Sequence, residues 1–212
     1  MSSSHAFPPE RLEAGLEIDP ADWTKAQVYD LVTALVIPRP VAWVSTIAPD
    51  GRRNLAPHSY FNLVADDPPH VMFSSVGVKD TLRNVRATRE FVVNVAGQDV
   101  LGALDATGAS LPYGDDEFAF AGLSAVPARC VRPPRVAEAS AHLECRLVRV
   151  LPTGNCNVVI GRVVHLHVDP SIWSDGRVAP ELLDPVVRLS RRYGFLRKDF
   201  TAEEAPSPHV LA

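Results

Sequence analysis

Cysteine is scarce, with only Cys130, Cys145 and Cys156 in 212 residues. An odd count at separations of 15 and 11 residues matches neither a disulfide framework nor a close pair of metal ligands, so reduced, mostly structural thiols are expected. Long apolar runs are lacking as well. No stretch approaches the roughly 18 uninterrupted apolar residues of a membrane helix, and residues 1–9 have neither the basic start nor the apolar stretch of an export signal. A soluble, unexported, cytoplasmic protein with no membrane partner is the expectation. A large excess of one charge is also absent. The net charge of −4 and pI near 6.0 give no long-range steering towards nucleic acid, so any anion site must be local. There is no G-x-S-x-G elbow, no G-x-x-x-x-G-K-[ST] loop and no G-x-G-x-x-G after a strand, which removes the best-marked routes to hydrolase, P-loop and Rossmann chemistry.

Glycine is outnumbered, 12 against 19 prolines. Proline interrupts helices and central strands, so the fold should consist of many short strands and loops rather than a helix bundle. The 46% hydrophobic and 22% charged content suits one sizeable core. A single domain over 23–200 is expected, with an N-terminal arm at 1–22 and a C-terminal tail at 201–212.

Periodicity predicts a short helix within 23–35 and a strand over 41–48 that ends at the Pro49-Asp50-Gly51 turn. The returning segment, 54–64, carries Pro57 and should be irregular or lie at a sheet edge. Residues 71–76 read as a buried strand, and a helix capped by Asp80 or Thr81 follows. Another strand covers 91–95 and a short helix 99–106, and a Gly/Pro/Asp-containing loop at 109–122 is long enough to be functional and could cover a cleft. Residues 143–151 and 156–168 form a hairpin pair joined by Pro152-Thr153-Gly154-Asn155. Six or so strands with hairpin connections argue for a mainly β fold, a closed or nearly closed antiparallel barrel with flanking short helices.

Three places offer chemistry. Ser45-Thr46 on a strand, Pro57-His58-Ser59 on the next, and Lys79-Asp80-Thr81 at a helix start together suit a phosphate, because a helix N-terminus presents unpaired N–H groups and a positive dipole end. An ordinary helix cap explains the last triplet equally. His165 and His167 alternate along a strand and share one face, as metal ligands or cleft-lining side chains would, but no third ligand is evident and no metal is expected. Arg188, Arg191, Arg192, Arg197 and Lys198, interleaved with Tyr193 and Phe195, suit either a phosphorylated ligand or a solvated face.

The run I-P-R-P-V-A-W-V-S-T at 37–46, the Asp50-Gly51 turn, N-L-A-P-H-S-Y-F-N at 54–62, Asp67-Pro68-Pro69, K-D-T-L-R-N at 79–84 and E-F-V-V-N at 90–94 occur in order. Together they resemble the flavin reductase-like, flavoredoxin-type proteins over roughly residues 35–195. The resemblance implies an FMN-binding split β-barrel, a homodimer, with the isoalloxazine near the subunit interface. It further implies that Ser45, Thr46 and His58, Ser59, Tyr60 and Phe61 line the flavin, that Lys79 and Thr81 hold its phosphate, and that Arg39 reaches the phosphate or the pyrimidine carbonyls. His165 and Arg188 are similar to C-terminal positions that would meet substrate, although Ser190-Arg191-Arg192 departs from the more usual glycine-rich run. The implied activity is hydride transfer from NADH or NADPH to FMN, with a flavin-dependent monooxygenase or another acceptor downstream and no catalytic acid or base in the protein. An FMN-binding electron carrier and a noncatalytic interaction protein are the competing readings.

Overall fold

The computed structural model describes residues 16–195, apart from Ser110 and Tyr113. The expected arm at 1–22 is therefore described only from residue 16, and the tail at 201–212, with Arg197 and Lys198, lies outside the described residues. In chain order the elements are α1 (Lys25–Leu35), β1 (Arg39–Pro40), β2 (Ala42–Ile47), β3 (Arg53–His58), β4 (Phe61–Asp66), β5 (Pro69–Val76), α2 (Asp80–Thr88) and β6 (Glu90–Val95). There follow α3 (Leu101–Ala106), α4 (Glu117–Phe120), β7 (Ala125–Val126), β8 (Arg135–Val136), β9 (Ala141–Thr153) and β10 (Cys156–Val168). The last are β11 (Trp173–Ser174), β12 (Arg177–Val178), α5 (Pro180–Leu183), β13 (Val186–Leu189) and β14 (Arg192–Phe195).

Seven strands form one antiparallel sheet in the order β3-β2-β6-β9-β10-β5-β4. This is the mainly β split barrel that was expected, and its closure follows from one local fact. The segment at 54–64 is two strands, not one irregular strand, and they lie at opposite edges of the sheet although only Ser59 and Tyr60 separate them. A link that short forces the two edges together, so the sheet must curl. β3 comes against β5, the neighbour of β4, at a seam with no ladder: His58 Nδ1 of β3 lies 3.3 Å from the Ser74 carbonyl of β5, and Ser74 N–H donates to the Tyr60 carbonyl of the link at 2.9 Å. Pro57 sits on the edge strand β3, where its missing N–H breaks no central ladder.

Side-chain alternation builds two cores. Ala42 and Val44 of β2 point into the barrel with Val71, Phe73, Phe91 and Val159. Val41 and Trp43 point outwards and pack with Leu55, Leu104, Phe118 and Val136 under α3 and α4. Burying side chains of this size contributes roughly 1.5–3 kcal/mol each. The Trp43 indole N–H donates to Thr107 Oγ1 at 2.8 Å, which fixes the chain just after α3. Helix α2 lays Leu82 and Val85 on the barrel interior and closes one end. Its N-cap is Lys79, one residue before Asp80, and Lys79 is extended with no side-chain capping bond. The β9–β10 hairpin turns at Gly154-Asn155, with Thr153 opposite Cys156 and Gly154 at φ +55°. Among the described residues no helix is long and apolar enough to cross a membrane.

Candidate functional site

The seam opens into a cavity of about 450 Å³, inside the range of roughly 300–1,000 Å³ for small-molecule sites. Asn54, Ala56 and His58 line it from one face of β3, Ser59 and Tyr60 from the β3–β4 link, and Ser74 and Ser75 from β5. Lys79, Asp80 and Thr81 close one end, Tyr29 of α1 and Glu117 of α4 add walls, and Gly108, Ala109 and Leu111 border it from the loop after α3.

The α2 terminus leaves hydrogen-bond donors at one end of the cleft. The first amides of a helix have no partner within it, and here no side chain caps them. Lys79 is exposed and joins no salt bridge among the described residues, whereas Asp80 is already held by Arg83. Thr81 is 2% exposed, and its Oγ1 accepts from Asn54 Nδ2 at 3.1 Å, which leaves its own O–H to donate.

His58 stacks at a tilt on Phe73, with ring centroids 4.7 Å apart. Burial pushes its pKa down from 6.5 to about 4, the Lys79 charge pushes the same way, and the Ser74 carbonyl opposes both. The imidazole is therefore neutral near pH 7, with its proton on Nδ1 facing that carbonyl. Nε2 is buried and without a partner, as is Ser75 Oγ. Glu117 accepts from Leu55 N–H at 3.0 Å, but burial raises its pKa, helped by Asp80 and Asp116. Burial likewise raises the Tyr60 phenol.

A pH dependence follows. The folded-state pKa of His58 lies below the unfolded value, so its contribution is complete above about pH 6.5 and is lost as pH falls towards 4. The ligand-free protein should lose about 3 kcal/mol across that window from this group. His142, also depressed chiefly by burial, adds loss of the same sign. Urea unfolding at a series of pH values checks this, and in His58→Asn the slope should flatten; an unchanged slope removes His58 as its source.

Five of the residues implied by the resemblance, His58, Ser59, Tyr60, Lys79 and Thr81, line the cleft. The others lie off it. Adjacent strand residues face opposite sides, so Ser45 and Thr46 cannot share one cleft, and both are fully buried. The Ser45 hydroxyl donates to the Pro134 carbonyl and accepts from Asn94, while Thr46 Oγ1 accepts from Asn54 at 3.2 Å and Asn84 at 3.1 Å. Thr46 thus acts on the cleft through Asn54. Thr46→Val should cost about 1–3 kcal/mol by orphaning buried amide hydrogens; a urea-unfolding loss under about 0.5 kcal/mol, the usual size of a surface change, contradicts the network.

Phe61 packs on the barrel core. Arg39 is 6% exposed, and its two terminal nitrogens donate to backbone carbonyls, those of Thr33 and Val36 at the end of α1 and that of Ser190 in the β13–β14 turn, while its Nε has no partner. Arg188 pairs with Arg39 across β1 and β13 and stacks over Tyr193 at 4.3 Å. Arg191 is tied to Asp30 at 2.6 Å, so these two arginines of the basic cluster have structural partners. His165 pairs opposite Glu144 beside a register shift, and the close histidine pair is instead His142 and His167, with Nδ1 atoms 3.1 Å apart. Among the described residues no group of three metal-ligating side chains assembles. Asn54, Ser75 and Glu117 were not foreseen. Asn54 was legible, since it shares a strand face with His58 at even spacing. Ser75 and Glu117 carry no local signal.

The barrel seam holds a cleft of small-ligand size that ends at an uncapped helix terminus. The comparisons give the family. The chain belongs to the flavin reductase-like family: the model of the flavin reductase like domain matches residues 34–183. An uncharacterized protein of Aquifex aeolicus is 38% identical over 172 residues, covering 78% of this chain and 88% of that one. Among solved structures, nitrilotriacetate monooxygenase component B from Bacillus cereus is 37% identical with a TM-score of 0.86, covering 90% of this chain and 100% of the other. The 2-nitrobenzoate 2-nitroreductase NbaA of Pseudomonas fluorescens is 27% identical with a TM-score of 0.80, covering 91% and 100%. The family places the chain among flavin-binding oxidoreductases.

Proposed function

We propose that this chain binds FMN in the seam cleft and transfers a hydride to it from NADH or NADPH. The observation that carries this reading is the uncapped α2 terminus at the foot of the cleft, where Lys79, Thr81 and free amides match a phosphate monoester. The rest of the cleft suits a planar ring system, with Tyr60, Ala56 and Pro57 as walls and the Ser59 backbone at hand for its polar edge. Bound FMN supplies the redox chemistry, taking a hydride from a nicotinamide and passing electrons onward. The protein holds the phosphate and orients the ring.

The reading includes a homodimer acting in the cytoplasm. Val32, Leu35, Val36 and Ile37 are 48–73% exposed on one continuous segment, an apolar surface that a second copy would cover. The three free thiols fit a reducing compartment. The name of the Bacillus cereus protein, a monooxygenase component, supports an oxygenase as the downstream acceptor.

Adding NADH or NADPH without oxygen to the FMN-loaded protein tests the activity. Rapid loss of the flavin absorbance is expected. Binding without bleaching contradicts hydride transfer and turns the assignment to an electron carrier.

A further inference from the structure

Two polar atoms in the cleft have no role in the fold. Ser75 is fully buried on the barrel-facing side of β5, in step with Phe73 and Val71, and its Oγ has no partner. His58 Nε2 is equally orphaned. Leaving such a group unpaired in a finished structure is costly. Both residues line the same cavity as Lys79 and Thr81, and the Lys79 charge is felt at the imidazole.

We propose that Ser75 Oγ and His58 Nε2 complete the phosphate end of the cleft, Ser75 donating a hydrogen bond and His58 taking up one proton from solvent as the phosphate binds. The inference rests on the FMN reading above and adds two residues and a proton to it. The Nδ1 proton is committed to the Ser74 carbonyl, so Nε2 is the only position where a new N–H bond can form. In the empty cleft burial and Lys79 disfavour that proton. A phosphate dianion reverses the balance, because it offsets Lys79 and accepts a charge-assisted hydrogen bond from the imidazolium. The other charged or titratable groups facing this space are Asp80, paired with Arg83, on α2, Tyr60 in the link, Tyr29 on α1 and Glu117 on α4. Glu117 is the rival proton acceptor, since burial raises its pKa as well.

Calorimetric titration of the full chain with FMN and with riboflavin, which lacks the phosphate, tests this in two buffers of different ionisation heat at about pH 7.5, where the second phosphate proton is gone. FMN binding should draw a proton from the buffer and riboflavin binding should not. His58→Asn, whose amide can still donate to the Ser74 carbonyl, should abolish the uptake. Ser75→Ala should weaken FMN by roughly tenfold and riboflavin far less. Uptake that persists in His58→Asn, or Ser75→Ala weakening both ligands alike, overturns the proposal. If His58→Asn does not fold, the Ser75→Ala comparison decides alone. Tight FMN binding with no uptake in the unaltered protein defeats this proposal only, whereas equal affinity for FMN and riboflavin defeats the phosphate reading beneath it.

Discussion

Lys79→Ala is expected to weaken FMN binding by about 1.5–3 kcal/mol, roughly ten- to a hundredfold in the dissociation constant. The side chain is exposed at the N-cap of α2, makes no capping bond and joins no ion pair among the described residues. Its loss should therefore cost the fold no more than about 0.5 kcal/mol, the usual effect of a surface change. That contrast is diagnostic, because a structural lysine would lower the unfolding midpoint and a ligand-binding one would not. Fluorescence titration with FMN measures the first quantity and urea unfolding the second. An unchanged dissociation constant removes Lys79 from the site.

The largest effect on stability should come from Glu144→Ala. Glu144 is fully buried on β9, yet its carboxylate is completely satisfied. It accepts from Arg129 N–H at 2.9 Å, from Cys130 N–H at 2.6 Å and from two nitrogens of Arg135, whose side chain is itself only 11% exposed. Burial pushes the carboxyl pKa up, but these donors outweigh it and hold the group below its ordinary value. Truncation leaves a buried guanidinium and two amides without acceptors, a loss of about 3–5 kcal/mol. The neutral isostere Glu144→Gln should cost less, and removing Arg135 as well should recover part of the loss. A urea-unfolding change below about 1 kcal/mol for Glu144→Ala contradicts this account of the 129–135 segment being tied to the barrel by one carboxylate.

What could be read from the sequence divides along a physical line. Features set by neighbours in the chain were legible: the 42–47 strand from its β-branched and aromatic run, the edge position of Pro57 from its missing N–H, and the helix start near Lys79 from its triplet. The barrel itself was expected from its strand count, but the place where it closes was not legible, because that depends on β3 and β4 finding opposite edges of one sheet, and a two-residue break inside 54–64 leaves no composition signal. The same distance effect hid Ser75, which matters only because β5 meets β3 across the seam. Ser45 and Thr46 were misplaced for a different reason. The motif was real, but a strand sends successive side chains to opposite faces, and the pair hydrogen-bonds within the protein instead of opening onto the cleft. Arg39 was similarly drawn away, since an uncovered helix C-terminus offers carbonyls that a guanidinium satisfies well.

A crystal structure of the protein grown with FMN tests the central claim most directly. The account predicts flavin in the seam between β3 and β5, with its phosphate within hydrogen-bond distance of Thr81 Oγ1 and the first amides of α2 and beside Lys79. Flavin seated elsewhere, or with its phosphate turned away from α2, would contradict it.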